Sequence, residues 1–248
     1  MRHREKGGQD SSPAGDRARQ RGADAIRAAL LRSVPFAALD SASLEGVLSV
    51  SELVKYPRRK ALYQQGARAD HCYVVASGRV RVVRGSPEQR MLTVAYRVAG
   101  DLVGETALAD GQTYRATASA TEPVEAIAVP FRAVLALLQE NPAFAQRMLA
   151  LMVERRLQAE RRVESLLSRT VESRVAEFLV DAADRHGIPD SRGILISVKY
   201  THQEIADYVG STRETVTLTL GELKRRELLL FDHRRIVLTQ AKELEKLV

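Results

Sequence analysis

Three polar residues near the carboxyl end of the chain, Arg213, Glu214 and Thr217, have side chains that can read DNA bases. An arginine can donate to both acceptors on the edge of a guanine, and a glutamate can accept from the amino group of a cytosine. Helical spacing puts them on one face, opposite a row of apolar residues. Those apolar residues are Val216, Leu220 and Leu223. The pattern predicts a helix with one face in a protein core and the other face free to meet DNA.

The residues before this helix carry the signals that would position it. Thr201 and Glu204 form a Thr-x-x-Glu capping box, which predicts the start of a preceding helix, and Gly210 supplies a permissive turn. The second helix then starts at Ser211 or Thr212. Two short helices joined by a glycine turn have the layout of a DNA-reading helix-turn-helix. An ordinary helical hairpin with a charged solvent face fits the amphipathic pattern equally well.

A second group of residues suits a phosphate, because Gly104 and Glu105 precede a short turn and Arg115 opens a later strand. A glycine before a short helical turn lets backbone N–H groups converge on an anion. The Arg115 guanidinium offers a planar fork to a phosphate, and the Glu105 carboxylate can accept from a sugar hydroxyl. These residues predict a site for a sugar phosphate. An internal ion pair between Glu105 and Arg115 is the alternative.

The composition narrows the class of protein. The chain has 248 residues, 45% of them hydrophobic, a formal net charge of +7 and one cysteine, Cys72. The charge favours a polyanionic partner, and one cysteine permits neither an internal disulfide nor a four-thiolate cluster. Residues 1–23 are basic, rich in Gly, Ser, Pro and Arg, and lack the apolar core of a secretory signal, which predicts a disordered tail. The single cysteine fits a reducing cytoplasm, and with no long apolar run we expect no membrane partner.

The rest of the sequence divides by its hydrophobic period. Residues 24–56 carry helical patterns, and residues 61–129 contain short strands between turn signals, which predicts a small antiparallel barrel or jelly roll. After Pro142 neither proline nor glycine interrupts a helical pattern until about Ser168. Its apolar residues at a and d spacing, with Arg156 in the seam, are Leu149, Met152, Ala159, Val163 and Leu166. They predict pairing with the same helix of another subunit; packing on its own barrel alone is the alternative.

In this order the barrel, the long helix and the helix-turn-helix resemble the family of the catabolite activator protein and the fumarate-nitrate regulator. The segments GETAL, RATASA and HQEIADYVGSTRETV carry the resemblance. It implies an α+β fold with an amino-terminal β-barrel (jelly roll) of the cyclic-nucleotide-binding type, a long dimerisation helix and a carboxyl-terminal winged helix-turn-helix. The implied boundaries are 24–139 for the sensor domain, 140–169 for the long helix and hinge, and 170–248 for the DNA-binding domain.

The resemblance also implies roles for individual residues. The candidate effector site comprises Gly104, Glu105, Arg115 and Ala116, joined by Arg155 and Glu160 of the long helix. The candidate DNA contacts are Thr201, Gln203, Thr212, Arg213, Glu214, Thr215, Thr217 and His233, the last in the loop between the final two predicted strands. Arg213 and Glu214 would specify bases. Thr201, Gln203, Thr212, Thr215 and His233 would position the protein on the phosphates.

Two departures from the family pattern concern the effector and the DNA sequence. Cyclic-AMP-responsive members place small hydroxyl residues against the adenine, where this chain has Ala159 and Glu160. Arg155 and Glu160, together with Arg115, look like the nitrogen-control branch, whose effector is 2-oxoglutarate. No cofactor is certain, and the candidate effectors are cyclic AMP, cyclic GMP and 2-oxoglutarate. Leu218 stands where the best-known members carry a further base-reading arginine, so the preferred base should differ there.

These observations predict a homodimeric, sequence-specific transcription regulator that binds near-palindromic double-stranded DNA and contacts RNA polymerase. A small anionic effector in the barrel would switch it. A rival hypothesis keeps DNA binding but makes the barrel a ligand-independent dimerisation scaffold, with activity set by abundance, modification or partners. An enzyme is not predicted, because no catalytic set of residues is found outside the barrel.

Overall fold

The computed structural model describes residues 13–85, 92–109 and 113–248, with side chains from residue 22 onward. The chain divides into two compact units, residues 1–82 with 96–151 and residues 83–95 with 152–248. Within the described ranges, no helix is both long enough and apolar enough to cross a membrane.

The first unit opens with helices. Helix α1 is Pro13–Arg32, a 3₁₀ turn is Phe36–Ala38, and α2 is Ser41–Val50. The start of α1 corrects the prediction of a disordered tail for residues 13–23, while residues 1–12 lie outside the described ranges. Alanine, arginine and glutamine in this stretch favour a helix, and the buried Ala29 and Leu30 anchor its end in the core.

Eight strands follow, with α3 and α4 after them. The strands are β1 Glu52–Tyr56, β2 Ala61–Tyr63, β3 His71–Ser77, β4 Val80–Arg84, β5 Leu92–Arg97, β6 Leu102–Val103, β7 Thr117–Ala120 and β8 Val124–Pro130. They form two four-stranded sheets, ordered β1-β8-β3-β6 and β2-β7-β4-β5. These are the sheets of the predicted jelly roll, although among the described residues no hydrogen bonding closes them into one barrel. Strand β1 lies where the sequence predicts helix, because Leu53 pairs with Ile127 of β8 and pairing overrides the local pattern.

Strand β3 lies at the centre of the first core. Four successive residues, 72–75, are buried, although alternate residues of a strand point to opposite faces of the sheet. Helix α1 packs on β3, so one face of the strand is covered by a helix. The fully buried Leu30 of α1 and Phe36 of the 3₁₀ turn contribute to this core. The continuous apolar run of β3 therefore follows from burial on both faces.

The long helix confirms the uninterrupted pattern seen in the sequence. Helix α3 is Phe131–Glu140 and α4 is Pro142–Ser168, a helix of 27 residues. The Asn141 side chain accepts from the backbone N–H of Phe144 at 3.0 Å, which satisfies a donor at the start of α4. Helix α4 begins in the first unit and ends in the second.

The second unit has the predicted winged helix-turn-helix fold. Its helices are α5 Val171–His186, α6 His202–Val209, α7 Arg213–Arg225 and α8 Ala241–Glu245. Its strands are β9 Gly187–Asp190, β10 Gly193–Ile196, β11 Leu229–Asp232 and β12 Arg235–Leu238, in the sheet order β11-β12-β10-β9. Leu179, Ile196, Ile205 and Leu220 are fully buried and join the helices to the sheet in one core.

Candidate DNA interface and effector site

Helix α6 begins at a complete capping box. The backbone N–H of Thr201 donates to Glu204 Oε2 at 2.8 Å, and the backbone N–H of Glu204 donates to Thr201 Oγ1 at 3.1 Å. Two N–H groups that the helix cannot satisfy internally are therefore paired. The predicted start of the first helix is confirmed.

The turn after α6 favours glycine and is held by two arginines. Gly210 has φ 68° and ψ 40°, and a Cβ at this position would lie 2.7 Å from Cδ2 of Leu166 in α4. The carbonyl of Tyr208 accepts from Arg162 of α4 at 2.6 Å, and the carbonyl of Val209 accepts from Arg174 of α5 at 2.9 Å. The end of α6 and the turn are thus bonded to both α4 and α5.

Thr212 ends the turn and starts α7. Its hydroxyl accepts from the backbone N–H of Thr215 at 3.2 Å, and the two threonine hydroxyl oxygens are 2.9 Å apart. Val216, Leu220 and Leu223 are buried, which fixes the rotation of α7 about its axis. Arg213 and Glu214 are exposed in its first turn, as predicted from the spacing.

Thr217 is exposed, but its hydroxyl already has two neighbours. Its Oγ1 donates to the carbonyl of Arg213 at 2.8 Å and lies 2.8 Å from Nδ1 of His202. Because a hydroxyl has one hydrogen, this geometry assigns the hydrogen of the second bond to His202 Nδ1. His202 was not predicted from the sequence as a site residue. Its position directly after the Thr201 cap is the signal that places it beside α7.

Burial lowers the pKa of His202 below its ordinary value, and the charge of Arg213 lowers it further. As the pH falls below about 6.5, the imidazole of His202 takes up a proton in the unfolded chain before it does so in the folded protein. Acidification therefore lowers the free energy of unfolding through this residue. We expect wild-type protein to lose more stability between pH 7.5 and pH 5 than His202→Gln does. Urea unfolding at both pH values measures the difference. Equal losses in the two proteins would contradict this role for His202.

Four further predicted DNA contacts lie beside these. Gln203 is exposed and its Nε2 donates to Oδ1 of Asp207 at 2.7 Å, while the Thr201 and Thr212 hydroxyls serve as helix caps. A hydroxyl contacts a phosphate by donating its hydrogen. The Thr201 hydroxyl already donates to Oε2 of Glu204 at 3.0 Å and would exchange that bond for one to the phosphate, whereas the Thr212 hydroxyl shares its hydrogen bond with Thr215. Thr215 is half-buried on the flank of α7. These residues lie along the starts of α6 and α7.

The wing is the turn between β11 and β12. His233 and Arg234 occupy it with φ of 44° and 67°, and both are exposed. Arg192 bonds Asp232 at 2.6 Å and Asp190 at 2.8 Å, which holds the turn to β9. Bonds from Arg192 lower the pKa of Asp190 to about 2 and also lower the pKa of Asp232. The exposed Arg234 is a cation at the wing tip that was not predicted from the sequence.

The first unit holds four of the predicted effector residues. Gly104 follows β6 with φ 88°, and a Cβ there would lie 3.3 Å from the His71 carbonyl oxygen and 3.3 Å from Cε1 of Tyr114. Glu105 is buried at the start of a 3₁₀ turn, Glu105–Ala109. Arg115 is exposed just before β7, and Ala116 is buried. The Gly104–Glu105 turn therefore has the predicted local form, whereas Arg115 and Ala116 lie in a bend before β7 and do not open the strand as predicted.

An aromatic cluster beside Gly104 was not predicted. The rings of Tyr63 and Tyr114 stack with centroids 4.0 Å apart, and Tyr73 lies 5.9 Å from Tyr63. The Tyr114 hydroxyl donates to the carbonyl of His71 at 2.7 Å. Burial raises the pKa of Tyr63, and the nearby Glu105 carboxylate raises it further, so this phenol stays neutral. The Gly104 turn thus lies against a wall of uncharged aromatic rings.

Arg155 and Glu160 belong to the part of α4 in the second unit. Arg155 is half-buried and Glu160 is exposed. The Glu160 carboxylate accepts from Nε of Arg156 at 2.7 Å, a pair with the i, i+4 spacing that brings side chains together on a helix. Glu160 thus has Arg156 as a partner, a bond that was not predicted from the sequence.

Comparison with known proteins identifies the family. Residues 53–141 match the family model of the cyclic nucleotide-binding domain, and residues 173–247 match that of the Crp-like helix-turn-helix domain. The global nitrogen regulator of Synechococcus elongatus is 33% identical over 189 residues, which are 75% of this chain and 84% of that protein. The chain belongs to the CRP/FNR family of transcription regulators.

A second relative and a solved structure extend the comparison. The cAMP-activated global transcriptional regulator CRP of Escherichia coli is 31% identical over 199 residues, 79% of this chain and 93% of that protein. The structure of FixK2 from Bradyrhizobium japonicum matches with a TM-score of 0.72 at 25% identity, over 80% of this chain and 97% of that one. The resemblance stated from the sequence is confirmed. The chain is a transcription regulator with a DNA-binding helix-turn-helix domain.

Proposed function

We propose that this regulator is a homodimer that places α7 of each subunit in the major groove of a near-palindromic site. A small anionic effector at the Gly104 turn and Arg115 switches its affinity for DNA. The observation that carries the DNA-binding half is the exposure of Arg213 and Glu214 at the start of α7. Both ends of the preceding turn are fixed by caps and by bonds to α4 and α5.

Recognition divides between bases and phosphates. Arg213 donates to O6 and N7 of a guanine, and Glu214 accepts from the amino group of a cytosine. The exposed wing residues His233 and Arg234 lie on the sugar-phosphate backbone, together with the polar residues at the helix starts. Those residues are Thr201, Gln203, Thr212 and Thr215. The backbone contacts make the affinity salt-dependent, so every comparison needs one salt concentration.

The exposed face of α4 supports the dimer. Leu149 of the predicted seam is 64% exposed and Val163 is 56% exposed. Val153, Leu157 and Leu167 are exposed on the same helix. So many large apolar side chains in water on one helix favour a second copy of the helix as their partner. Two symmetric subunits would then present two recognition helices about one turn of DNA apart.

The proposed effector site and its coupling to DNA affinity are supported by separate observations. Backbone N–H groups at the Gly104 turn and the exposed Arg115 cation suit an anion, and the family model of the cyclic nucleotide-binding domain covers both. Cyclic AMP, cyclic GMP and 2-oxoglutarate all carry such an anion. In the second unit, α4 bonds the end of α6 through Arg162. A change in how two α4 helices pair would therefore move the recognition turn, and an effector that prefers one pairing would shift DNA affinity.

Arg115 provides the test of the switch. We expect one of the three compounds to tighten binding to a selected DNA site about 5- to 150-fold, the usual range of coupling between two sites. Arg115→Ala should abolish this tightening and leave ligand-free binding unchanged. Arg132→Ala removes an exposed cation from α3 of the same unit and should keep the switch. Fluorescence anisotropy at fixed salt measures each affinity.

The rival hypothesis predicts a different result in the same experiment. If tight binding is unaffected by all three compounds, the barrel is better described as a dimerisation scaffold, and abundance, modification or partners set activity. Contact with RNA polymerase and a cytoplasmic location remain part of the proposal. Transcription in a purified system tests the first directly.

A further inference from the structure

We infer that Leu218 recognises the 5-methyl group of a thymine in the major groove. This assignment rests on the proposed placement of α7 in that groove and names a base contact beyond Arg213 and Glu214. Leu218 is 75% exposed on α7. It follows Glu214 by one helical turn, so the two side chains lie on the same outward face.

The apolar side chain of Leu218 determines which group of a base it can contact. A leucine side chain has neither donor nor acceptor, so it cannot distinguish bases by hydrogen bonds. The 5-methyl group of thymine is the one apolar group that base pairs present in the major groove. Contact between the two removes apolar surface from water on both sides.

Gly221 leaves Leu218 uncovered. Side chains of a helix lean toward its amino terminus, so a side chain at 221 would lie over the turn that carries Leu218. A Cβ added at Gly221 would meet nothing within 4 Å. Packing inside the subunit therefore does not require this glycine, although glycine disfavours the middle of a helix. Because residue 221 has no side chain, Leu218 and Gly221 together form an open apolar patch.

The spacing on α7 places the contact. Leu218 is five residues after Arg213, and each residue of a helix rises 1.5 Å, which gives about 7.5 Å along the axis. Base pairs are about 3.4 Å apart. The thymine should therefore lie within about two base pairs of the guanine that Arg213 contacts.

The test removes one methyl group at a time. The preferred site is first selected from random double-stranded DNA with the wild-type protein. Each thymine is then replaced by deoxyuridine, symmetrically in both half-sites, and affinity is measured at fixed salt. We expect one position at which deoxyuridine weakens wild-type binding about three- to fivefold per half-site, as burial of one methyl group predicts.

Two variants decide whether Leu218 makes the contact. Leu218→Ala should lose the deoxyuridine effect at that position, and Arg213→Ala should keep it. Because Leu218 is exposed, the thermal midpoint of Leu218→Ala should match that of wild type. A selected site without thymine there, no deoxyuridine effect, or an equal effect in wild type and Leu218→Ala would each overturn the assignment while leaving DNA binding intact. Failure to select any site would overturn the proposed function as well.

Discussion

Replacing Arg213 with alanine is expected to weaken binding to the preferred DNA site by about 1 to 3 kcal/mol per contact, or about 5- to 150-fold. The first turn of α7 presents this guanidinium to solvent, and Thr212 fixes the helix start beneath it. Alanine removes both hydrogen bonds to guanine. The protein should then accept other bases at that position, because no other side chain on the first turn of α7 would donate to both O6 and N7 of the guanine.

Anisotropy on the selected site, on single-base variants of it and on random DNA measures the Arg213 effect. Random DNA should lose only the small contribution of one positive charge. Arg185→Ala is the matched control, because it removes an exposed arginine from α5, where Arg185 pairs with Asp181. An equal loss on specific and random DNA would show that Arg213 contacts phosphate instead of a base.

The helix-turn-helix could be predicted from the sequence because its signals are local. Thr201 with Glu204, Gly210, and Thr212 each act within four residues, through caps and one left-handed turn. The helical period of Val216, Leu220 and Leu223 then determines which face of α7 is exposed. The exposure of Arg213 and Glu214 could therefore be predicted from the helical period alone.

Residues that depend on distant packing were missed. His202 meets Thr217 only because α6 and α7 cross, fifteen positions apart in the chain. Tyr63 at the end of β2 stacks on Tyr114, which lies three residues before β7, and the alternation of residues does not specify that β2 and β7 pair. The helical residues 13–23 were predicted to be disordered from their composition, which takes no account of the buried end of the same helix.

Paired substitutions on α4, Leu149→Glu with Val163→Glu, are expected to convert the dimer to monomers. Both side chains are exposed on one face of the helix and would lie in the proposed seam. Four buried carboxylates in the dimer would repel one another and lose their hydration. Sedimentation velocity measures the change in mass. The control is Arg147→Glu, on the opposite side of α4. This substitution changes the charge at its position by more than Leu149→Glu or Val163→Glu does, and it should leave the dimer intact.

DNA affinity should fall with the dimer, and by more than for any single base contact. In a dimer the second recognition helix meets its half-site at a high effective concentration, which adds about 10²- to 10⁴-fold to the affinity of one helix. The monomeric variant retains Arg213, Glu214 and Leu218, so it should bind a single half-site as well as a full palindrome. If the double variant sediments as a dimer and binds the palindrome tightly, the subunits pair through another surface, and the exposed residues of α4 need a different partner.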